Sequence, residues 1–331
     1  MMKATMTHPS IPKKTAVVCV NLGTPSQATF LGVRRFLKDF LSDQRVVDTP
    51  KFIWWWILNL IILTVRPGRV AKQYQKVWHE EGSPLMVHSK RLVNALQDQL
   101  GEHFDVKLAM RYGAPQLKEV LTDISKNHYQ KLIILPLFPQ YSATTTASIF
   151  DEVSRFYQKQ SYIPSLNFIN HYADYPLYIE ALAQSLEDHW KNHDKGERLV
   201  ISYHGIPDRY FKRGDPYYCF CSKTTRLLRE RLHDDSIIMV FQSRFGPGKW
   251  LEPSCETTIE ELAKEGIKRL DIISPGFAAD CLETIEEIDE TYREVFMEHG
   301  GEQYHYIAAL NDQAHHVTAL KSLIESHAIF S

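Results

Sequence analysis

His204 and the carboxylates of Glu283, Glu287 and Glu290 are the residues of this chain whose types and positions could carry chemistry. The glutamates are spaced by four and then three residues, with Glu294 four further on, and an α-helix would put Glu283, Glu287 and Glu290 on one face. Like charges at that spacing repel by roughly a few tenths of a kcal/mol per pair. Protons or a metal cation would neutralise them. The alternative is a solvated acidic face near a helix start, where the macrodipole favours Glu283. His204 follows the apolar run LVISY and precedes Gly205-Ile206-Pro207, so its imidazole should project from a strand's carboxyl end, where ligands of open α/β sheets bind. A histidine at that address can also be a packing or hydrogen-bonding residue. Together His204 and Glu283 offer one nitrogen and one oxygen ligand, an open and transient metal site. No C-x-x-C pair or H-E-x-x-H motif provides a closed one, and Cys219 and Cys221 are poorly spaced for zinc.

A second set of residues suits a flat aromatic ligand. Trp250 ends the glycine-hinged stretch Gly246-Pro247-Gly248-Lys249-Trp250, and Arg111 and Tyr112 hold the matching place in the first half. A planar ligand between the halves would meet Trp250, Tyr112 and Tyr141, with ordinary loop anchoring as the other reading. The loop from Pro139 to Ser148 is dense in hydroxyls and follows a buried strand. It reads either as a ligand loop or as a turn of side-chain to backbone hydrogen bonds.

These residues need strands to hold them, and apolar runs supply the candidates: 16–22, 106–110, 132–138, 166–169, 199–203, 237–242, 270–274 and 304–307. Helical patterns alternate with them at about 26–41, 69–79, 84–100, 115–127, 177–192, 256–265, 283–294 and 312–327. Asp280 is the expected cap of the acidic helix, and Ser83 with Pro84 should start the helix at 84. Strand–helix alternation implies parallel sheets covered on both faces. The two halves look alike, with domains expected at 15–160, including the apolar segment 52–65, and at 161–331, with the last helix able to pack back on the first domain.

At 331 residues, 44% hydrophobic and 24% charged, the composition is that of a globular protein, and a net charge of -2 provides no basic field for nucleic acid. Five scattered cysteines fit a reducing cytoplasm, and the polar start MMKATMTHPSIPKK reads as a frayed tail without a signal peptide's apolar core. Phe52 to Val65 is almost purely apolar and too short to span a bilayer, which needs about 20 such residues. It is either a core helix or a membrane-facing lip, the latter favoured by Arg66, Arg69 and Lys72 behind it.

SYHGIPDRYFKRGDPY (202–217), LPLFPQYSATTTAS (135–148), FQSRFGPGKWLEP (241–253) and PGFAADCLETIEEIDE (275–290) resemble the ferrochelatase family, as do NLGTP from Asn21 and VWHEEGSPLMVHS from Val77. The resemblance covers nearly the whole chain. It implies an α/β fold of two Rossmann-like, class II chelatase-like domains with a cleft between them, and insertion of Fe2+ into protoporphyrin IX. It implies that His204 and Glu283 handle metal and protons and that Glu287 is the next acidic position. Leu22, Arg111, Tyr112, Tyr141, Ser142, Thr146 and Trp250 would line the macrocycle pocket. Insertion into coproporphyrin and a heme or porphyrin carrier are the alternatives. Fe2+ is expected as a substrate, with no tightly bound cofactor and no iron–sulfur cluster, because the sequence stops at Ser331 without a cysteine-rich extension. The location implied is cytoplasmic, with peripheral membrane contact through 52–65.

Overall fold

The unbroken apolar run Val17-Val18-Cys19-Val20 is wholly buried, as a strand covered on both faces must be. A computed structural model describes residues 14–244 and 248–328. Its strands are β1 (Thr15–Gly23), β2 (Phe104–Tyr112), β3 (Lys131–Pro136), β4 (Ser165–Phe168), β5 (Arg198–His204), β6 (Ile238–Gln242), β7 (Arg269–Ile273) and β8 (Gln303–Ile307). All pair in parallel, in two sheets of order β2-β1-β3-β4 and β6-β5-β7-β8. The two Rossmann-like halves therefore share one plan. In each, the chain leaves the first strand toward one edge and returns on its other side, which opens a crevice at the carboxyl ends of β1 and β3, and again of β5 and β7.

The helices are α1 (Phe30–Leu41), α2 (Lys51–Trp56), α3 (Leu63–Val77), α4 (Pro84–Leu100), α5 (Leu117–Lys126), α6 (Ser148–Tyr157), α7 (Pro176–Trp190), α8 (Asp208–Lys212), α9 (Tyr217–Leu232), α10 (Cys255–Lys264), α11 (Tyr292–Glu298) and α12 (Ala314–Ala328). Helix α4 starts as expected, with Ser83 Oγ accepting from Met86 N and Pro84 in the first turn.

Several expectations change. Strand β4 pairs with β3, so the first sheet runs past the expected division at 160/161 and ends with Phe168. Helix α12 is not among these changes: it is the helix expected to pack back on the first domain, and there Lys131 Nζ donates to Ala328 O and Asn167 Nδ2 to His327 O. The helix expected at 69–79 begins at Leu63 and continues from the apolar segment. Asp280 does not cap the acidic helix through its backbone. Its carboxylate accepts instead from Thr284 Oγ1, Tyr306 OH, Ala309 N and Asn311 Nδ2, and so ties that helix to the loop after β8. The N-terminal tail and the hinge residues Gly246 and Pro247 lie outside the described residues.

The segment 52–65 is mostly not core. Phe52, Ile53, Trp55, Trp56, Leu60, Ile61 and Val65 are exposed, while Leu58 and Leu63 are buried and Trp54 turns inward to donate to Leu41 O at 2.6 Å. Among the described residues no helix is long and apolar enough to cross a membrane.

Candidate active site

His204 is the last residue of β5, exposed at the crevice, while Tyr203 before it is fully buried. Its Nδ1 lies 2.8 Å from Gly205 O. A carbonyl only accepts, so Nδ1 carries the hydrogen and the neutral ring keeps its lone pair on Nε2. Gly205 lets this turn close on the neighbouring strand end, since a Cβ there would stand 2.7 Å from Gln242 O and 3.4 Å from the Trp250 ring. Trp250 thus sits beside the His204 turn, on the wall of a recess shared with Phe211 and Tyr218.

The acidic segment after β7 opens on the same crevice, but Glu283–Thr291 is a π-helix rather than an α-helix. Each of its turns takes nearly one more residue than an α-turn, so side chains seven apart no longer share a face, whereas those four apart still do. The expected line of Glu283, Glu287 and Glu290 is accordingly split. Glu286 Oε1 accepts from Gln73 Nε2 at 2.6 Å, and Glu290 pairs loosely with Lys76 at 3.5 Å, both partners lying on α3. Glu287 points the other way, to the end of β6. Its Oε1 accepts from Ser243 N at 2.9 Å and Tyr292 OH at 2.9 Å, its Oε2 from Ser243 Oγ and, weakly, from Gln242 Nε2 at 3.4 Å. Ser243 is held at a φ of 62°, the left-handed region that costs a non-glycine residue energy.

Glu283 has a different setting. Its charge acts on Arg66 and Tyr74 of α3 and on Cys281. Burial, then this carboxylate, raises the Tyr74 hydroxyl and the Cys281 thiol well above their usual values. Glu286 and Glu290 thus meet partners on α3, and Glu287 meets the end of β6, all remote in sequence. Arg66 is half-buried within reach of the Glu283 charge, whereas Arg69 and Lys72 are the exposed cations behind the apolar lip.

The ferrochelatase family profile matches residues 14–328 of this sequence. The chain belongs to the ferrochelatase family. It is 48% identical to the ferrochelatase of Idiomarina loihiensis over 95% of this chain and 88% of that one, and 45% identical to that of Marinobacter nauticus over 96% and 87%. Its fold is that of SirB from Bacillus subtilis, solved with Fe3+, with a TM-score of 0.58 at 14% identity over 96% of each chain.

The residues that ferrochelatase resemblance assigns to a macrocycle pocket fall into distinct settings. Tyr112 is buried, its ring edge-on to Phe40 and its hydroxyl 2.8 Å from Asp43 Oδ2 and 3.1 Å from Ser148 Oγ. Arg111 joins the same cluster, donating to Asp43 Oδ2 at 2.7 Å and Ser148 Oγ at 2.8 Å. Hydrogen bonds and the ion pair pull Asp43 below the usual carboxylate range despite its burial. Tyr112 is thus held on its hydroxyl side by Asp43 and Ser148. Thr146 is also fully buried. Ser142 starts a second π-helix, Ala143–Ala147, and donates to Asp215 Oδ2 at 3.0 Å, which joins the first-half loop to the second half. Leu22 and Tyr141 keep partial exposure, Leu22 beside Gly23, whose φ of 113° and close approach to Tyr112 O leave no room for a Cβ.

Asp43, Tyr74 and Ser243 were not singled out from sequence, and Arg66 was singled out only as a cation behind the apolar segment. Asp43 contacts partners 68 and 105 positions away, a separation no local pattern reports. A polar residue directly after a predicted strand end was the one available signal for Ser243.

Proposed function

We propose that the protein inserts Fe2+ into protoporphyrin IX with release of two protons. Support comes from membership of the ferrochelatase family and from one observation above all: His204 stands exposed at the crevice with Nε2 unprotonated in the neutral ring. Two N–H protons must leave the macrocycle as the ion enters. Nε2 accepts a pyrrole proton as general base. The ion is a substrate that imidazole and carboxylate suit, and a site with few ligands lets it leave again, so Glu283 is the oxygen donor on its path. The binding of apolar faces offsets a macrocycle distortion of about a few kcal/mol that turns the pyrrole lone pairs toward the ion. Glu287, bonded to Ser243 and Tyr292, positions the β6 turn instead of touching the ion.

The deciding assay offers purified protein anaerobic Fe2+ with protoporphyrin or coproporphyrin and follows absorbance. Faster insertion into protoporphyrin is expected. Preference for coproporphyrin would reassign the substrate, and tight binding without insertion would make the protein a carrier. Iron and acid-labile sulfide well below one cluster per chain are expected in the isolated protein; stoichiometric amounts of both would refute the absence of a cluster.

The exposed lip, with Arg69 and Lys72 behind it, supports peripheral contact with the cytoplasmic membrane face, near where an apolar product would leave. Trp54 is not one of the outward rings of this lip, because its indole bonds inward to Leu41. Trp55→Ser with Trp56→Ser should weaken binding to anionic vesicles by roughly tenfold or more, given that burying a large apolar side chain contributes about 1.5–3 kcal/mol. Unchanged co-sedimentation of a folded double variant would refute it.

A further inference from the structure

Asp271 lies in the middle of β7 with its side chain 1% exposed, an expensive place for a carboxylate. Oδ2 accepts from Trp190 Nε1 at 2.6 Å and from Gly196 N at 2.8 Å, and a Cβ at position 196 would stand 2.8 Å from the Asp271 carboxyl carbon. Oδ1 lies 3.0 Å from His305 Nδ1. His189, from the last turn of α7, completes a group whose donor atoms all lie within 4.8 Å of one another. Its Nε2 is buried and has no hydrogen-bond partner, and burial with the neighbouring His193 pushes its ring below the ordinary imidazole value. A fourth imidazole, His193, stacks on His189 with centroids 4.2 Å apart.

A purely structural role for Asp271 would need only Trp190 and Gly196. It leaves unexplained two further imidazoles turned toward the same carboxylate, one with an unsatisfied buried nitrogen. Two imidazoles and one carboxylate form a donor set suited to Zn2+ and similar ions, with water completing the coordination. Tetrahedral Zn2+ places its ligand atoms about 3.4 Å apart, so the group must contract slightly, and the partly exposed His305 has the freedom to do so.

We infer that His189, Asp271 and His305 form a second binding site for a divalent transition metal, separate from the crevice. Asp271 pairs with Leu199 of β5, five residues before His204, which puts the site about 16 Å from the candidate catalytic histidine along the strand. An ion here would pin the end of α7 to β7 and β8 and stabilise the second sheet, because it binds the folded chain and not the unfolded one.

The test uses the untagged full chain carrying His204→Ala and Glu283→Gln, so that the crevice does not compete, with Zn2+ titrated against a chromophoric chelator. One equivalent should bind and raise the melting temperature. Adding His305→Gln or His189→Gln should weaken that equivalent by at least about 100-fold, more than the 10- to 100-fold typical of losing a mere outer-shell support, and should abolish the thermal shift. Absence of any equivalent in the parent, or affinity kept within about threefold after His305→Gln, would overturn the site. Should His189→Gln fail to fold, the more exposed His305→Gln decides alone.

Discussion

His204→Ala lowers the rate of Fe2+ insertion by about 10²- to 10⁴-fold, the usual cost of losing a general base, while porphyrin still quenches the protein's fluorescence with nearly unchanged affinity. The reasoning is local. His204 is exposed and makes its one described side-chain hydrogen bond to the next residue's carbonyl, so its loss should leave the fold intact. A group that acts on departing protons contributes chiefly in the transition state, and its loss falls on turnover rather than on binding. Glu283→Gln should show the same pattern, with the dependence on Fe2+ concentration also shifted if the carboxylate passes the ion. More than about a tenth of the wild-type rate in His204→Ala would place the base elsewhere.

Glu287→Gln should lower the melting temperature by several degrees and reduce turnover indirectly. On a lone helix the change would relieve repulsion of about a few tenths of a kcal/mol. Here it replaces an acceptor-only carboxylate that receives Ser243 N, Ser243 Oγ and Tyr292 OH, and charge-assisted bonds contribute about 1.5–3 kcal/mol each when partners are stranded. The loss therefore exceeds the relief, and Ser243 is freed from its left-handed backbone. Thermal melts and the rate together decide. A variant as stable as the parent would show that the network is dispensable, whereas restored stability with Ser243→Gly in the same chain would locate the cost at that strained turn.

The strands were readable because a strand buried on both faces writes itself as an apolar run, and Ala16 to Val20 or Leu132 to Leu135 has no competing pattern. The addresses of His204 and of the acidic segment followed from those strand ends. Helix α9 escaped because its buried side includes Thr224 and Thr225, so the apolar periodicity is broken by hydroxyls that bond inward. The π-helix escaped for a related reason. Its spacing of charges is the one an α-helix would show, and only contacts with α3 and β6 reveal the wider turn. Strand β4 was found but assigned to the wrong sheet, since a four-residue strand carries no record of which neighbour it joins.

The ties between the halves also constrain how a rigid disc gets in. Asp48 is gripped by Arg209 and Arg213, Tyr210 OH reaches Val46 O, Asp215 holds Ser142, Thr224 bonds Gln140, and Gln73 meets Glu286. A frame pinned in this way cannot gape like jaws without first breaking those pins. The macrocycle would then enter edgewise, as a card enters a slot, and the expected place of its passage is along the helical stretch from Lys51 through Ile62 with its outward aromatic rings. Cross-linking Asp48 to Arg209 by paired cysteines should accordingly leave turnover intact, whereas a strap that fixes that helix should slow exchange of the large ligand and spare passage of the ion.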